Sequence, residues 1–272
     1  MKIIAAIIIG FCGFTGLIYL FQGAFIFFPV SIDRAALQAI KKRFPRTEEL
    51  AITAADRTKL HGWLVKPEGA VKPLLVIYFG GNAEEVSWLI AEFPRFTGWA
   101  VCLVNYRGYG LSEGKPGEQA LYRDALAIYD HMAKRGDIDA ARIVVMGRSI
   151  GSAVATFLAQ HRPVKAAILI CPFDSLVSIG KKHYPFLPAA LLLRHCFDSL
   201  SRAAALNIPL LALLAKNDEI VPRESSLRLI EQWGGPRTTA IIDGGHNTLQ
   251  EYPEYWESIR QFLAQQFLKI NR

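Results

Sequence analysis

The run Ile143-Val144-Val145-Met146-Gly147-Arg148-Ser149-Ile150-Gly151-Ser152-Ala153-Val154-Ala155 constrains the fold of this chain more than any other stretch. A β-branched apolar segment enters a Gly-x-Ser-x-Gly pattern and an alanine-rich helical pattern leaves it, so the backbone reads as strand, sharp turn, helix. The glycines at 147 and 151 have a steric role: a turn this tight packs against its neighbours and leaves no room for a Cβ. Ser149 then stands at the apex, its hydroxyl exposed at the carboxyl edge of a sheet above the N-terminus of the following helix.

The remainder of the chain reads as a sheet around that turn. Leu50–Thr53 and Leu60–Val65 flank a polar Asp56-Arg57-Thr58 turn and read as a hairpin. The continuous apolar run at Leu74–Phe79 is the pattern of a strand buried on both faces, Ala100–Asn105 reads as another buried strand, and Val164–Ile170 and Ile208–Ala215 read as further strands. A last short strand is expected over Thr238–Ile242. Helical patterns run from Asp33 to Phe44, from Glu84 to about Phe93, from Gly117 to about Lys134, from about Arg223 to Trp233 and from Tyr252 to Phe267. Alternating strands and helices predict an α/β fold, a mostly parallel central sheet with helices on both faces and function gathered at the strands' carboxyl ends. The stretch 171–207 is too long and too rich in proline for one crossover helix. It is expected to form a small cap that shields the site or, alternatively, dips toward a membrane.

Residues 1–30 stand apart. From Ile3 to Phe28 there are 26 residues without a charge, more than the roughly 20 that cross a bilayer core. A secretory signal has a shorter apolar region and a small-residue cleavage site, whereas this segment ends in Phe25, Phe27, Phe28 and Pro29. An N-terminal transmembrane helix, a signal-anchor, is therefore expected, with residues 31–272 forming one domain. Cations after the span outnumber those before it, which favours a cytoplasmic domain; large domains also translocate regardless of charge, and both orientations stay open.

The net charge of +7 is dispersed over 31 basic and 24 acidic residues, without the basic stripe and interleaved aromatics of a nucleic-acid binder. It fits an anionic membrane surface better. Cys12, Cys102, Cys171 and Cys196 have no metal-ligand spacing. They read as packed thiols, with a Cys171–Cys196 disulfide as the alternative, and no metal or organic cofactor is expected.

A serine hydroxyl needs a base, and the base needs an orienting acid. Among the six histidines, only His246 follows a late strand in an open, glycine-flanked loop. For the acid, Asp218 follows a buried strand; Asp174, after the preceding strand, is the rival, and Asp218 is preferred. The order Ser149, Asp218, His246 is that of one triad fold and no other. Oxyanion donors are expected at the backbone N–H of Ile150, directly after the serine, and of Asn82, in the Gly80-Gly81-Asn82 loop. Arg148, beside the serine, either braces the turn or reaches an anionic substrate group, and bracing is favoured.

Taken together, Gly80-Gly81-Asn82-Ala83, Asn105-Tyr106-Arg107-Gly108-Tyr109-Gly110-Leu111-Ser112-Glu113-Gly114, Gly147-Arg148-Ser149-Ile150-Gly151, Asn217-Asp218-Glu219-Ile220-Val221-Pro222 and Gly245-His246-Asn247 resemble the Bem46-like, abhydrolase-domain group of membrane-anchored α/β-hydrolases over roughly residues 50 to 268. The resemblance implies a serine hydrolase acting on ester or thioester bonds of a small-molecule or lipid-like acyl substrate, with Ser149, Asp218 and His246 as triad and Asn82 and Ile150 as oxyanion donors. A serine peptidase and a catalytically silent lipid- or protein-binding scaffold are the alternatives. Relatives carry His-Gly-Asn where this chain has Gly80-Gly81-Asn82, so the brace which that histidine supplies is missing.

Overall fold

A computed structural model describes residues 2–268. Eight strands form one sheet: β1 (Glu48–Thr53), β2 (Lys59–Val65), β3 (Leu74–Phe79), β4 (Trp99–Val104), β5 (Ile143–Arg148), β6 (Ala166–Ile170), β7 (Leu210–Asn217) and β8 (Arg237–Gly245). Their spatial order is β1-β2-β4-β3-β5-β6-β7-β8. The β1–β2 and β2–β4 pairs are antiparallel and every other pair is parallel. The expected hairpin and α/β sheet are thus present, with β8 extending right up to His246.

The helices are α1 (Lys2–Ile26), α2 (Arg34–Arg43), α3 (Glu118–Ala133), α4 (Ile150–His161), α5 (Leu176–His183), α6 (Ala189–Leu192), α7 (Leu200–Ala203), α8 (Arg223–Gln232) and α9 (Pro253–Leu268). Side-chain alternation along each strand divides the core into two layers. In β3, Leu75, Ile77 and Phe79 pack with residues of α3, α4 and α8. Leu74, Val76 and Tyr78 face the other way, toward α9 and the segment after β3. That segment is not the helix expected from Glu84 to Phe93 but two 3₁₀ turns, Val86–Ile90 and Phe93–Arg95. Its buried residues are Val86, Leu89 and Ile90, and Pro94 lacks the N–H that a continuing helix would need.

The stretch between β6 and β7 carries α5, α6 and α7 rather than one crossover helix. Its return to the body is built on Glu118, whose carboxylate accepts the backbone N–H groups of Cys196 at 2.7 Å and Phe197 at 2.9 Å.

The N-terminal expectation needs correction. Residues 2–26 are helical, yet among the described residues no helix is long and apolar enough to cross a membrane; the side chains at 5–9, 11 and 12, Cys12 included, lie outside the described residues. The physical reason at the carboxyl end of α1 is that this end packs on protein. Gln22 is buried, its amide donating to Leu192 O at 3.1 Å and accepting from Arg194 N at 2.7 Å, and Phe27 is buried edge-on against His195 and Phe197. These turns are docked on residues 192–197.

Candidate active site

The elbow at β5–α4 has the geometry its glycines require. A Cβ on Gly147 would stand 2.1 Å from Gly151 O, and one on Gly151 would stand 2.2 Å from Phe79 O. Ser149 sits at φ 52°, ψ −119°, in the left-handed half of the map, a conformation that only surrounding contacts can hold for a non-glycine residue. Those contacts are Ser149 N donating to Ile170 O at 2.8 Å, and Ser149 O accepting from Ser152 N at 2.8 Å and from Ser152 Oγ at 2.6 Å. Ile150 opens α4, so its N–H is among the donors that a helix leaves unpaired.

His246 is buried just beyond β8 and meets Asp218 just beyond β7, with Nδ1 at 3.0 Å from Oδ1 and 2.9 Å from Oδ2. Ile220 N and Val221 N also donate to Asp218 Oδ1, at 3.0 and 2.7 Å. Burial opposes ionisation of Asp218, but the His246 ring and the two backbone donors outweigh it and hold the carboxyl below its ordinary range. With Nδ1–H committed to the carboxylate, Nε2 is left as the acceptor nitrogen. The His246 backbone is held too, its N–H donating to Glu219 Oε2 at 3.4 Å. Among the described residues no hydrogen bond joins the Ser149 hydroxyl to His246.

Asp174, the rival acid, is placed elsewhere. Its carboxylate accepts from Ser225 Oγ at 2.6 Å, Ser175 N at 2.6 Å, Ser178 Oγ and Arg228 Nε at 2.7 Å. It fastens the start of the 171–207 stretch to α8.

Arg148 links three loops. It donates to Glu84 Oε2 at 3.3 Å, to His246 O at 3.2 Å and to Asn247 Oδ1 at 3.1 Å. Glu84, three positions past Gly81, also accepts from Gly81 N at 2.6 Å, Tyr78 Oη at 2.6 Å and Trp88 Nε1 at 2.8 Å. Burial works against the Arg148 cation, and the neighbouring Glu84 carboxylate more than offsets it, raising its pKa. Glu84 is a residue that sequence reasoning missed: its position in a helical-looking run gave no sign of a buried carboxylate.

Asn82 occupies the loop after β3 beside the elbow, as the Gly151–Phe79 approach requires. Its side chain is engaged by residues 26–28 and Tyr109.

Cys102, Cys171 and Cys196 are free thiols, so the Cys171–Cys196 disulfide is not formed. Cys171 instead lies beside Asp218 and His246, the donor atoms of the three within 4.8 Å of one another. Burial, then the Asp218 carboxylate, pushes the thiol pKa up, which keeps it a neutral S–H at physiological pH. Asp218 and His246 also hydrogen-bond to each other.

Comparison with known proteins converges on one group. A family model described as "Serine aminopeptidase, S33" (Hydrolase_4) matches residues 74–195. Uncharacterized protein Rv2307c of Mycobacterium tuberculosis is 32% identical over 270 residues, covering 97% of this chain and 95% of that one. Alpha/beta hydrolase domain-containing protein WAV2 of Arabidopsis thaliana is 27% identical over 303 residues, covering 96% and 94%. Uncharacterized membrane protein YNL320W of Saccharomyces cerevisiae is 30% identical over 226 residues, covering 80% of each. Among solved structures, an acetyl xylan esterase from Paenibacillus sp. R4 superposes with a TM-score of 0.66 at 18% identity, covering 90% of this chain and 98% of that one.

Proposed function

The chain belongs to the α/β-hydrolase family, and from that premise we propose that it is a serine hydrolase cleaving ester or thioester bonds of acyl substrates. The observation that carries the reading is the buried Asp218–His246 pair at the sheet edge where Ser149 stands on a strained elbow. Ser149 Oγ attacks the acyl carbonyl while His246 Nε2 takes its proton, and Asp218 holds the ring and stabilises the imidazolium. The backbone N–H groups of Asn82 and Ile150 receive the oxyanion. The tetrahedral adduct collapses, the alcohol or thiol leaves with the proton from His246, and the acyl-enzyme forms. Water, deprotonated by His246, then releases the acid and restores the serine. Arg148 acts as a brace for the His246 loop in this scheme, since it donates to Glu84, His246 and Asn247.

Fluorophosphonate labelling of the full chain tests the scheme: strong labelling of wild type and none of Ser149→Ala is expected. Equal labelling of the two would overturn it and favour the silent scaffold. The peptidase reading is favoured by the description of the matching family model; p-nitrophenyl acyl esters turned over well above aminoacyl anilides support an esterase, and the reverse ratio a peptidase.

We also propose that α1 attaches the domain of residues 31–272 to a membrane, the 171–207 stretch serving as a cap at the bilayer surface. The 26 uncharged residues from Ile3 to Phe28 support it, as do the exposed Phe14, Leu17, Leu20, Phe21 and Phe25 and the membrane protein among its relatives. On the cap, exposed Tyr184, Phe186 and Leu191 neighbour Lys181, Lys182 and Arg194, and no acidic residue falls between Asp174 and Asp198. Such a surface suits anionic lipid. Recovery of the full chain with the lipid in flotation and in the pellet after alkaline extraction is expected; a fully soluble chain would sink the idea.

A further inference from the structure

Two of the four hydrogen bonds of the Asn82 side chain run to a part of the chain more than fifty residues away. Its Nδ2 donates to Ile26 O at 2.5 Å, and its Oδ1 accepts from Phe28 N at 3.0 Å, from Tyr109 Oη at 2.8 Å and from Ala83 N at 3.0 Å. Phe28 N also reaches Tyr109 Oη at 3.1 Å. The carboxamide thus lies between the backbone that leaves α1 and the phenol of the loop after β4. That backbone is itself pinned on both sides. Phe27 is buried against His195 and Phe197, and Val30 O accepts from Gly110 N at 2.7 Å, next to Tyr109.

The loop carrying Asn82 needs such a hold. Ala83 has φ 54°, a left-handed conformation that a residue with a Cβ adopts only under constraint. The bracing histidine that the family resemblance implies at position 80 is a glycine here. Gly80 O is held instead by Tyr106 Oη at 2.8 Å and Gly81 N by Glu84 at 2.6 Å; at Asn82 the ties run to residues 26–28 and Tyr109.

We infer that the junction Ile26–Phe28, together with Tyr109, is a positioning element of the oxyanion loop: it sets the direction of the Asn82 backbone N–H, so turnover depends on how the end of α1 is docked. The inference rests on the serine-hydrolase reading. A donor must point at the oxygen of the tetrahedral adduct rather than at the ground-state carbonyl, and losing one such donor costs about 10²–10³ in kcat. A donor left in place but free to swing costs a fraction of that, and the cost falls on kcat rather than on KM. A consequence is that a force displacing α1 is felt in the chemistry, although no residue of α1 contacts the reacting atoms in this scheme.

The test uses the full chain in detergent with a short p-nitrophenyl ester, following kcat, KM and the thermal midpoint together. Asn82→Leu keeps the backbone N–H and removes all the side-chain ties; kcat is expected to fall about 10–100-fold with KM within about twofold. Asn82→Asp keeps the acceptor for Phe28 N–H and Tyr109 O–H, loses the donor to Ile26, and is expected between Asn82→Leu and wild type. Phe27→Leu loosens the junction without touching the loop and is expected to lower kcat at unchanged KM, with the loss exceeding any loss of folded protein. Wild-type kcat in Asn82→Leu and Phe27→Leu, beside an inactive Ser149→Ala, would overturn the inference alone. So would falls in kcat that merely track the folded fraction. A wild type no more active than Ser149→Ala would overturn the underlying reading, and this inference with it.

Discussion

Asp174 and Asp218 follow neighbouring parallel strands, β6 and β7, and both have carboxyl groups held below the ordinary range against the opposing effect of burial. Their surroundings separate them. Asp218 faces a histidine ring and two backbone N–H groups. Asp174 faces two serine hydroxyls, a backbone N–H and the half-exposed Arg228. The first partner is a titratable ring that can carry a proton to and from a substrate; the second set has no proton to give up near neutral pH. A depressed pKa at a strand end therefore does not by itself mark a catalytic acid. The chemistry of the partner decides.

The comparison can be broken most directly at Asp218. Asp218→Asn is expected to lower kcat about 10⁴-fold, because the amide favours the wrong imidazole tautomer, with a small change in thermal midpoint; retention of kcat within tenfold would remove Asp218 from the mechanism. Next in size is Arg148→Met, which removes the cation beside the buried Glu84 carboxylate. A loss of about 3 kcal/mol is expected in denaturant unfolding, with turnover per folded molecule falling far less than in Asp218→Asn. A drop in kcat without loss of stability would instead give Arg148 a role on substrate.

Asp174→Asn is expected to cost about 2 kcal/mol of stability, the cost of weakening a buried network, at unchanged kcat per folded molecule. Arg228→Met should cost less than about 1 kcal/mol because its guanidinium is half in solvent. An inactive, fully folded Asp174→Asn would invert the assignment of the two aspartates. The smallest effect is in the pH dependence. A carboxyl with a depressed folded-state pKa contributes stability that is fully present above its unfolded value, roughly 4, and is lost as pH falls through the lower folded value. Asp174→Asn should therefore narrow its stability gap to wild type below about pH 4 and keep it constant from about pH 5 to 7. A gap that widens on acidification would contradict the depressed value.

How much of this was legible without coordinates follows from the range of the forces involved. The elbow could be read from the residues because its constraint is local: two glycines and a serine within five residues, between a β-branched run and an alanine-rich one, leave the backbone little choice. The central strands could be read for the same reason, as β3 and β4 are continuous apolar runs bounded by turns. The placing of Ser149, Asp218 and His246 at one sheet edge followed from the rule that parallel strands present their carboxyl ends together. The helix expected after Glu84 failed because three-residue and helical spacings overlap over so short a run, and contact with α9 and the sheet selected the 3₁₀ form.

What only the tertiary structure decided are the pairings across long separations. That Asp174 turns to α8 while Asp218 turns to His246, that Arg148 reaches Glu84 and the His246 loop, and that Asn82 is held by the end of α1 all depend on which surfaces meet once the layers pack. The Gly147–Gly151 elbow stands at the boundary of the two. Its shape is written in its own five residues, but what surrounds it, the Asp218–His246 pair and the Asn82 loop, is set by loops from distant parts of the chain that are fastened to one another.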